Sequence, residues 1–412
     1  MDAPCHVKPQ MNKISIPQGK LAAALILFLL SIKPLTAWEL SGYVGIEDMV
    51  FFEQPTDPQQ YNNYLSGVIE AELYHEWDNG NQIFAFVPFF RGAQFDSNRT
   101  HFDIRELTYV YAAEAWEFRF GIRKVFWGVT ESVHLVDIIN QRDMVENTDG
   151  EDKLGQPMIN FAWIQDWGTL DLFLLPGFRE MPFTGVNGRP RIQPAVDSSQ
   201  ARFDKNGFAR QMAYAIRWSH SIGDWDIGVS NFYGTSRDPI FLLEDDATGK
   251  IKIIPYYQNI NQTGLDLQAT IESWLLKLEM IVRVSEIDTT FATVAGFEYT
   301  FFNVGETGLD IGLLAEYLYD SRGNRAPTIF QDDFFTGIRF ALNDVQDTQI
   351  LAGVIVDSNT FAQFYNIEFS RCFFDNFVLE VEGRFSNGAA PGDRAYFFRN
   401  DSHFRFELSY HF

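Results

Sequence analysis

Four arginines stand out as groups that could act on charged solutes, because they fall on three neighbouring segments in which polar and apolar residues alternate. They are Arg91, Arg105, Arg119 and Arg123. Guanidiniums on the inner wall of a pore would attract anions and set an electric field across it. The same groups could instead pair with Glu106 and Glu117 and stabilise the wall, and both interpretations stay open.

Residues 129–156 combine many carboxylates with apolar side chains. The acidic candidates are Asp137, Asp143, Glu146, Asp149, Glu151 and Asp152. The apolar residues are Val133, Leu135, Val136, Ile138 and Ile139. Because a solvated loop has no need of so many apolar side chains, we predict that this stretch folds inward and packs, with its acids facing the arginines across a constriction. The alternative is an ordinary surface loop with a short helix.

The motifs indicate neither metal chemistry nor covalent catalysis. Residues 143–152 lack the alternating oxygen ligands and the terminal bidentate Glu of a calcium-binding loop, and residues 147–150 are typical of a turn. Six histidines follow residue 37, and none lies in a recognisable Ser–His or carboxylate–His motif. We therefore predict a protein without metal or cofactor that is not an enzyme. An outer-membrane hydrolase is the less favoured alternative.

The C-terminal segment shows the clearest alternation in the chain. Its apolar positions are Phe404, Phe406, Leu408, Tyr410 and Phe412. Polar or charged residues lie between them, and a period of two places the two sets on opposite faces of a β-strand. In a membrane barrel the apolar set faces lipid and the polar set faces the lumen. A strand ending in Phe412 also resembles the C-terminal signal that the outer-membrane insertion machinery recognises, so we predict that role for these residues.

Alternating segments of about ten residues recur from Trp38 onward and predict 18 β-strands, with 16 as the alternative. The predicted strands are 38–52, 64–77, 82–95, 101–115, 116–128, 157–167, 169–179, 209–221, 224–236, 262–273, 275–286, 289–302, 308–320, 332–343, 349–358, 361–371, 377–387 and 402–412. Short connections such as 78–81 alternate with long ones such as 180–208. The 40 Phe residues exceed the needs of a soluble core and fit a lipid-facing surface with aromatic girdles. The expected fold is all-β, a transmembrane antiparallel up-and-down β-barrel with short periplasmic turns and long extracellular loops.

The N-terminus has the features of a secretory signal. Residues 21–32 form a short apolar run that follows two lysines and precedes Ala37. A basic start, an apolar run too short to span a bilayer and a small residue at the cut are typical of a cleaved signal peptide. We predict a signal peptide over residues 1–37 and a barrel over residues 38–412, with Met11 as an alternative start. A transmembrane anchor is the alternative to the signal peptide.

The net charge of the chain is −23, and the first 37 residues hold four Lys and one Asp, so the remainder is near −26. Such a charge argues against nucleic acid as a partner. An acidic surface suits a protein beside lipopolysaccharide, where divalent cations bridge carboxylates and phosphates. The expected partners are outer-membrane lipid and lipopolysaccharide, the barrel-insertion machinery and small solutes. Monomer and trimer both remain open.

The segment FRFGIRKVFWGVTESVHLVDIINQRD, residues 118–143, resembles a stretch found in several porin-like outer-membrane families. The matching residues are Gly121, Arg123, Trp127, Gly128, Asp137, Asn140 and Asp143, and residues 105–109 resemble an Arg-x-x-x-Tyr strand of the same families. These families include an uncharacterised one known only as a domain of unknown function and, more distantly, phosphate-selective and alginate-export porins. The resemblance implies a porin-like barrel and no particular solute, and the Lys-rich pattern of phosphate porins is not visible.

These features predict a porin-like channel of the bacterial outer membrane through which small hydrophilic or ionic solutes diffuse passively. In general porins the third outer loop narrows the pore, and residues 129–156 form the third outer connection here. The constriction would then lie between the arginines and this loop. The negative net charge favours cations, although the charge of the lumen matters more. A plugged barrel acting in binding, adhesion or export is the alternative.

Overall fold

The computed structural model describes residues 38–245 and 249–412. The predicted signal peptide, residues 1–37, lies outside the described residues. Within the described part of the chain, no helix has the length and apolar composition needed to cross a membrane. The α-helix found there, α1, spans only the four residues Phe208–Gln211.

Eighteen antiparallel strands form one closed sheet. They are β1 (Trp38–Phe51), β2 (Asn63–Trp77), β3 (Gln82–Ala93), β4 (His101–Ala112), β5 (Trp116–Arg123), β6 (Gln156–Gln165), β7 (Gly168–Pro176), β9 (Met212–Ile222), β10 (Trp225–Thr235), β13 (Asn259–Ile271), β14 (Trp274–Val284), β15 (Thr289–Phe301), β16 (Asp310–Asp320), β17 (Asp332–Ala341), β18 (Gln349–Asp357), β19 (Gln363–Phe373), β20 (Phe377–Asn387) and β21 (His403–His411). Each pairs with the barrel strands before and after it, and β1 pairs with both β2 and β21, which closes the barrel. The predicted 18 strands and their up-and-down order are confirmed, because the period of two is a local signal present in every strand.

A second, three-stranded sheet lies in the connections between β7 and β9 and between β10 and β13. It consists of β8 (Arg202–Phe203), β11 (Ile240–Asp245) and β12 (Ile251–Tyr257). The sequence predicts only loops for these residues, because the parallel pairing of β8 with β12 joins two different connections and has no local signature. The predicted strand 209–221 also begins too early, since α1 occupies its first residues.

The two ends of the barrel differ in the length of their connections. At the end that holds residues 78–81, no connection exceeds eight residues. At the other end the connections reach 35 residues, in 177–211. We call these the short-turn end and the long-loop end.

Side chains on the strands alternate between the lumen and the outer surface. On β21, Phe406, Leu408 and Tyr410 are 41%, 50% and 40% exposed, whereas Glu407 and Ser409 between them are buried. A barrel whose outer surface carries large apolar side chains needs an apolar surrounding, and its charged groups are then confined to the lumen and the ends.

Candidate functional site

The connection between β5 and β6, residues 124–155, runs inside the barrel, and we call it the inner loop. Its atoms contact lumen-facing side chains on several strands. These wall residues are Arg91, Arg105, Glu279, Glu316, Arg339, Glu382 and Arg384. Strands β3 and β14 lie on opposite sides of the 18-stranded wall, so the inner loop crosses the lumen.

Glu279 of β14 holds the first part of the inner loop. Its Oε1 accepts hydrogen bonds from the backbone N–H groups of Val129 at 2.7 Å and Thr130 at 3.1 Å, and from the Thr130 hydroxyl at 2.8 Å. Its Oε2 accepts one from the N–H of Val136 at 3.0 Å. The side chain is fully buried, and a buried carboxylate is tolerated when several donors replace water.

Glu316 of β16 holds the next residues in the same way. Its carboxylate accepts hydrogen bonds from the N–H groups of Glu131 at 2.7 Å and Ser132 at 2.9 Å. The carboxylate of Glu131 lies in turn 2.9 Å from the Arg339 guanidinium and 3.3 Å from the Lys277 ammonium. Hydrogen bonds to a wall carboxylate and ion pairs from a loop carboxylate to wall cations therefore hold this part of the loop.

The apolar side chains of the inner loop pack on an apolar part of the lumen wall. Val136 and Ile139 are fully buried, and Ile138 is nearly so. Their neighbours in this core include Met158, Phe173, Ala215, Phe232, Ile260 and Ile281, which come from six different strands. Burial of each aliphatic side chain contributes about 1.5–3 kcal/mol to stability. This packing therefore stabilises the position of the inner loop in addition to the hydrogen bonds to Glu279 and Glu316.

The second part of the inner loop meets a basic wall. Arg91 of β3 lies 2.7 Å from the carboxylate of Glu146 in the loop and 3.2 Å from that of Glu47 on β1. Arg99 donates to backbone oxygens of the loop and also pairs with Glu47. Arg405 of β21 lies 2.8 Å from Glu47 as well. Three guanidiniums therefore share one carboxylate that is 0% exposed.

Arg105 reaches the inner loop from a β-bulge. The register between β3 and β4 shifts between Val87 and Pro88, which leaves Arg105 as the extra residue on β4. Pro88 has no N–H to donate to the ladder, and proline within a sheet is confined to such irregular or edge positions. The Arg105 Nη1 lies 2.8 Å from Asp143 of the loop and 2.9 Å from the backbone oxygen of Lys153.

The four arginines singled out by the alternation differ in their surroundings. Arg91 and Arg105 are 2% and 3% exposed and are held in ion pairs, so they bind the inner loop instead of facing open lumen. Arg119 lies nearer the short-turn end, where it pairs with Glu117 as one of the two interpretations supposes. Arg123 forms no ion pair with any described residue and is only partly buried.

The six acidic candidates of the inner loop divide into two groups. The side chains buried in ion pairs are those of Asp137, Asp143 and Glu146. The exposed residues are Asp149, Glu151 and Asp152. Asp149 still lies 2.8 Å from the Arg384 guanidinium of β20. A solute inside the barrel would therefore meet the second group and not the first.

His134 joins the two parts of the inner loop to the wall. Its ring nitrogens lie 3.8 Å from a carboxylate oxygen of Glu151 and 3.9 Å from one of Glu279. Burial opposes a charge on the ring, but these two carboxylates outweigh burial and raise the pKa of His134 to about 9. Because the folded-state pKa is raised, the ion pairs are complete at neutral pH and are lost as the pH rises through that value.

Two features of the described residues bear on metal and catalytic chemistry. Within the described residues, no group of three or more His, Cys, Asp or Glu side chains is arranged to hold a metal ion. Ser409 Oγ lies 3.0 Å from His411 Nε2 on β21. No described carboxylate lies within ion-pair distance of His411, so this pair lacks the acid that orients the base in a Ser–His–acid triad.

Glu279 and Glu316 hold the inner loop and are not singled out by the sequence. The same is true of Glu47, which binds the two arginines Arg91 and Arg99 that contact the loop. The only sequence signal for each is an acid at an inward position of an alternating strand. Many other acids in the chain share that pattern, so it does not identify the ones that contact the loop.

No protein-family model matches the sequence, and no curated protein matches it. The resemblance to the uncharacterised family and to the phosphate-selective and alginate-export group therefore stays a prediction.

Solved structures share the fold. A BenF-like porin from Pseudomonas fluorescens Pf-5 is 10% identical and aligns over 91% of this chain and 97% of that chain with a TM-score of 0.53. Wzi, an outer-membrane protein involved in group 1 capsule assembly in Escherichia coli and described as a carbohydrate-binding β-barrel, is 10% identical and aligns over 96% and 89% with a TM-score of 0.50. Mutants of the Rh. blastica porin align over 91% and 100% at 11% identity with a TM-score of 0.44. At these identities the likeness shows the fold alone, which is that of porin-like outer-membrane β-barrels.

Proposed function

We propose that the chain is an outer-membrane channel through which small hydrophilic or ionic solutes diffuse passively, past a constriction formed by the inner loop. The observation that carries this proposal is the inner loop itself, held inside a closed 18-stranded barrel by wall residues on opposite sides. A loop anchored in this way narrows a lumen without covering the barrel from outside. Delivery to the outer membrane by the predicted signal peptide is part of the same proposal.

The charge of the lumen favours cations. Several lumen-facing acids on β2, β19 and β20 form no ion pair with any described residue: Glu70, Glu72, Glu368 and Glu380. They lie on a continuous stretch of wall, since β19, β20, β21, β1 and β2 are consecutive strands of the barrel. The arginines that could balance them, Arg91 and Arg405, are already paired with buried carboxylates.

We expect the protein reconstituted in planar bilayers to pass cations in preference to anions. Replacing Glu70 and Glu380 by glutamine should lower the cation-to-anion permeability ratio, because two fixed negative charges leave the lumen wall. The reversal potential in a KCl gradient measures this ratio. The change should be larger at 0.1 M than at 1 M salt, where the Debye length falls from about 10 Å to about 3 Å.

The matched control is the double variant Glu53→Gln/Glu306→Gln, which removes the same charge from exposed residues in connections at the two ends of the barrel. Its permeability ratio should equal that of the unaltered protein. Anion preference in the unaltered protein would refute the assignment of selectivity to the acidic wall.

A plugged barrel that acts in binding, adhesion or export is the second candidate. The fully buried Val136 and Ile139 of the inner loop favour it, because apolar packing against the wall seals the contact on that side. The absence of any conductance step after verified reconstitution would decide for the plugged barrel.

The C-terminal residue gives a test of the proposed assembly signal. The N–H of Phe412 donates to the oxygen of Gly42 at 3.0 Å, and the N–H of Gly42 donates to the oxygen of Phe412 at 3.2 Å, beyond the last strand residue. We expect deletion of Phe412 to reduce the yield of folded barrel in the outer membrane, measured by heat-modifiable migration in electrophoresis. The control is Phe208→Ala, which removes a 76% exposed Phe at the long-loop end; equal loss in both variants would contradict a signal at Phe412.

A further inference from the structure

A cavity of about 680 Å³ lies between the inner loop and the connections of the long-loop end. Its walls come from the inner loop, from residues 181–196 and 237–243, from Ile253, from Arg322 and residues 325–330, and from the outer parts of β17–β20. Pockets for small organic ligands typically measure about 300–1,000 Å³, so the cavity has the size of a binding site for one such molecule.

The lining of the cavity includes large apolar side chains. They include Phe183, Phe241, Phe330, Phe335, Phe364 and Phe397. Phe183 packs edge-on against Phe241 and Phe330 against Phe364, with ring centroids 5.7 Å and 5.5 Å apart. Such a surface binds an apolar or aromatic body by burying it from water.

The lining also includes a cluster with more guanidiniums than carboxylates. Arg142 and Arg283 share the single carboxylate of Asp238. Arg237 donates to the backbone oxygen of Ile139 at 3.0 Å and 3.1 Å, and no described carboxylate lies within ion-pair distance of it.

A fourth guanidinium, that of Arg322, pairs with Asp320 at 2.6 Å. Three guanidiniums therefore pair with two carboxylates, Asp238 and Asp320, and that of Arg237 pairs with neither. The next acid, Asp137, is already paired with Lys153.

Arg142 has more donors without a described acceptor than the other members of this cluster. Its Nη2 binds Asp238, while its Nε and Nη1 donate to no described residue. Burial, together with repulsion from Arg283 and Arg322, lowers the pKa of Arg142 to about 10. An anion beside these groups would relieve that repulsion and accept hydrogen bonds from the free N–H groups.

We propose that this cavity binds an organic monoanion whose carboxylate meets Arg142 and its neighbours and whose apolar body lies against the phenylalanine side chains. The acids on the remaining wall do not oppose this placement, because Asp149 is matched by Arg384 and Glu151 by His134. Glu368 also lines the cavity and forms no ion pair with any described residue. The carboxylate of the ligand should therefore lie away from Glu368. The site is independent of the proposed channel, since binding requires no passage through the barrel.

The test measures binding of naphthalene-2-carboxylate to the full barrel in lipid nanodiscs by calorimetry. The isosteric neutral naphthalene-2-carboxamide should bind at least about tenfold more weakly, because a hydrogen bond to a charged group contributes about 1.5–3 kcal/mol and 1.4 kcal/mol is a factor of ten. Acetate, which has the charge but no apolar body, should show no measurable binding. Equal affinity for the carboxylate and the amide would overturn the proposal.

Two substitutions change the charge of the site in opposite directions. Arg142→Gln should weaken binding of the carboxylate about tenfold or more and leave the amide unaffected. Asp238→Asn removes the carboxylate that competes for Arg142 and should strengthen binding of the carboxylate ligand. The matched control is Arg202→Gln, which removes a half-exposed arginine at the same end of the barrel that does not line the cavity.

Folding of each variant is checked by heat-modifiable migration. If Arg142→Gln fails to fold, Arg322→Gln and Asp238→Asn carry the test. Unchanged affinity in the folded variants would overturn the proposal. Failure of the channel proposal would instead appear as an absence of conductance in protein that still binds the ligand.

Discussion

Replacing Glu279 by alanine is expected to raise the single-channel conductance several-fold and to make the open level noisy. The inner loop would lose the acceptor of four hydrogen bonds, from Val129, Val136 and the backbone and hydroxyl of Thr130. Hydrogen bonds to a charged group contribute about 1.5–3 kcal/mol each. Without them the first part of the loop leaves the wall of β14 and the lumen widens. Recordings in planar bilayers measure the change.

The control for this prediction is Glu298→Ala on the neighbouring strand β15. Glu298 also faces the lumen, where it lies 3.4 Å from Arg339, but it makes no hydrogen bond to the inner loop among the described contacts. Its removal deletes the same charge from the adjacent strand, four residues nearer the short-turn end. A conductance unchanged by Glu279→Ala, or raised equally by Glu298→Ala, would show that the loop is not the constriction.

Replacing Glu47 by glutamine is expected to lower the free energy of unfolding by about 3–5 kcal/mol, the usual cost of removing one partner from a buried ion pair. The carboxylate is 0% exposed and pairs with Arg91, Arg99 and Arg405. Its loss leaves the buried Arg99 with no carboxylate partner among the described residues and removes one partner from Arg91 and from Arg405. Urea unfolding of the barrel in lipid vesicles, followed by tryptophan fluorescence, measures the effect.

Two further variants separate this charge effect from a general loss of stability on substituting any residue of the lumen wall. Glu72→Gln neutralises a lumen acid that forms no ion pair with any described residue, and it should change the stability far less. The double variant Glu47→Gln/Arg99→Met should lose less than the sum of the two single losses, because the residues interact directly. Strict additivity would contradict a shared network.

The strands and their inward and outward faces could be predicted because both follow from a repeat of two residues within one segment. Phe406 and Glu407 show this on β21, where one is exposed and the other buried. The extra strands β8, β11 and β12 could not be predicted, because their pairing depends on two connections meeting in space.

The candidate site could be predicted in part. The apolar residues Val136, Ile138 and Ile139 lie buried inside the barrel, and their type alone argues against a solvated loop. Whether each arginine binds the inner loop or faces open lumen could not be predicted in the same way. Arg105 depends on a bulge opposite Pro88, and its partner Asp143 lies 38 residues away.

Alternation within single segments is enough to predict a barrel with an apolar outside and a polar lumen, because it requires no knowledge of neighbouring strands. What the charges in the lumen do depends instead on contacts between distant segments. Glu47 meets Arg405 across 358 residues of sequence, and Glu279 meets Val129 across 150. Such pairs arise when closure of the barrel brings distant strands together around the inner loop. Of the four arginines that alternation places on the lumen wall, Arg91 and Arg105 therefore hold the inner loop, and we propose that the unpaired acids of the wall face the solute.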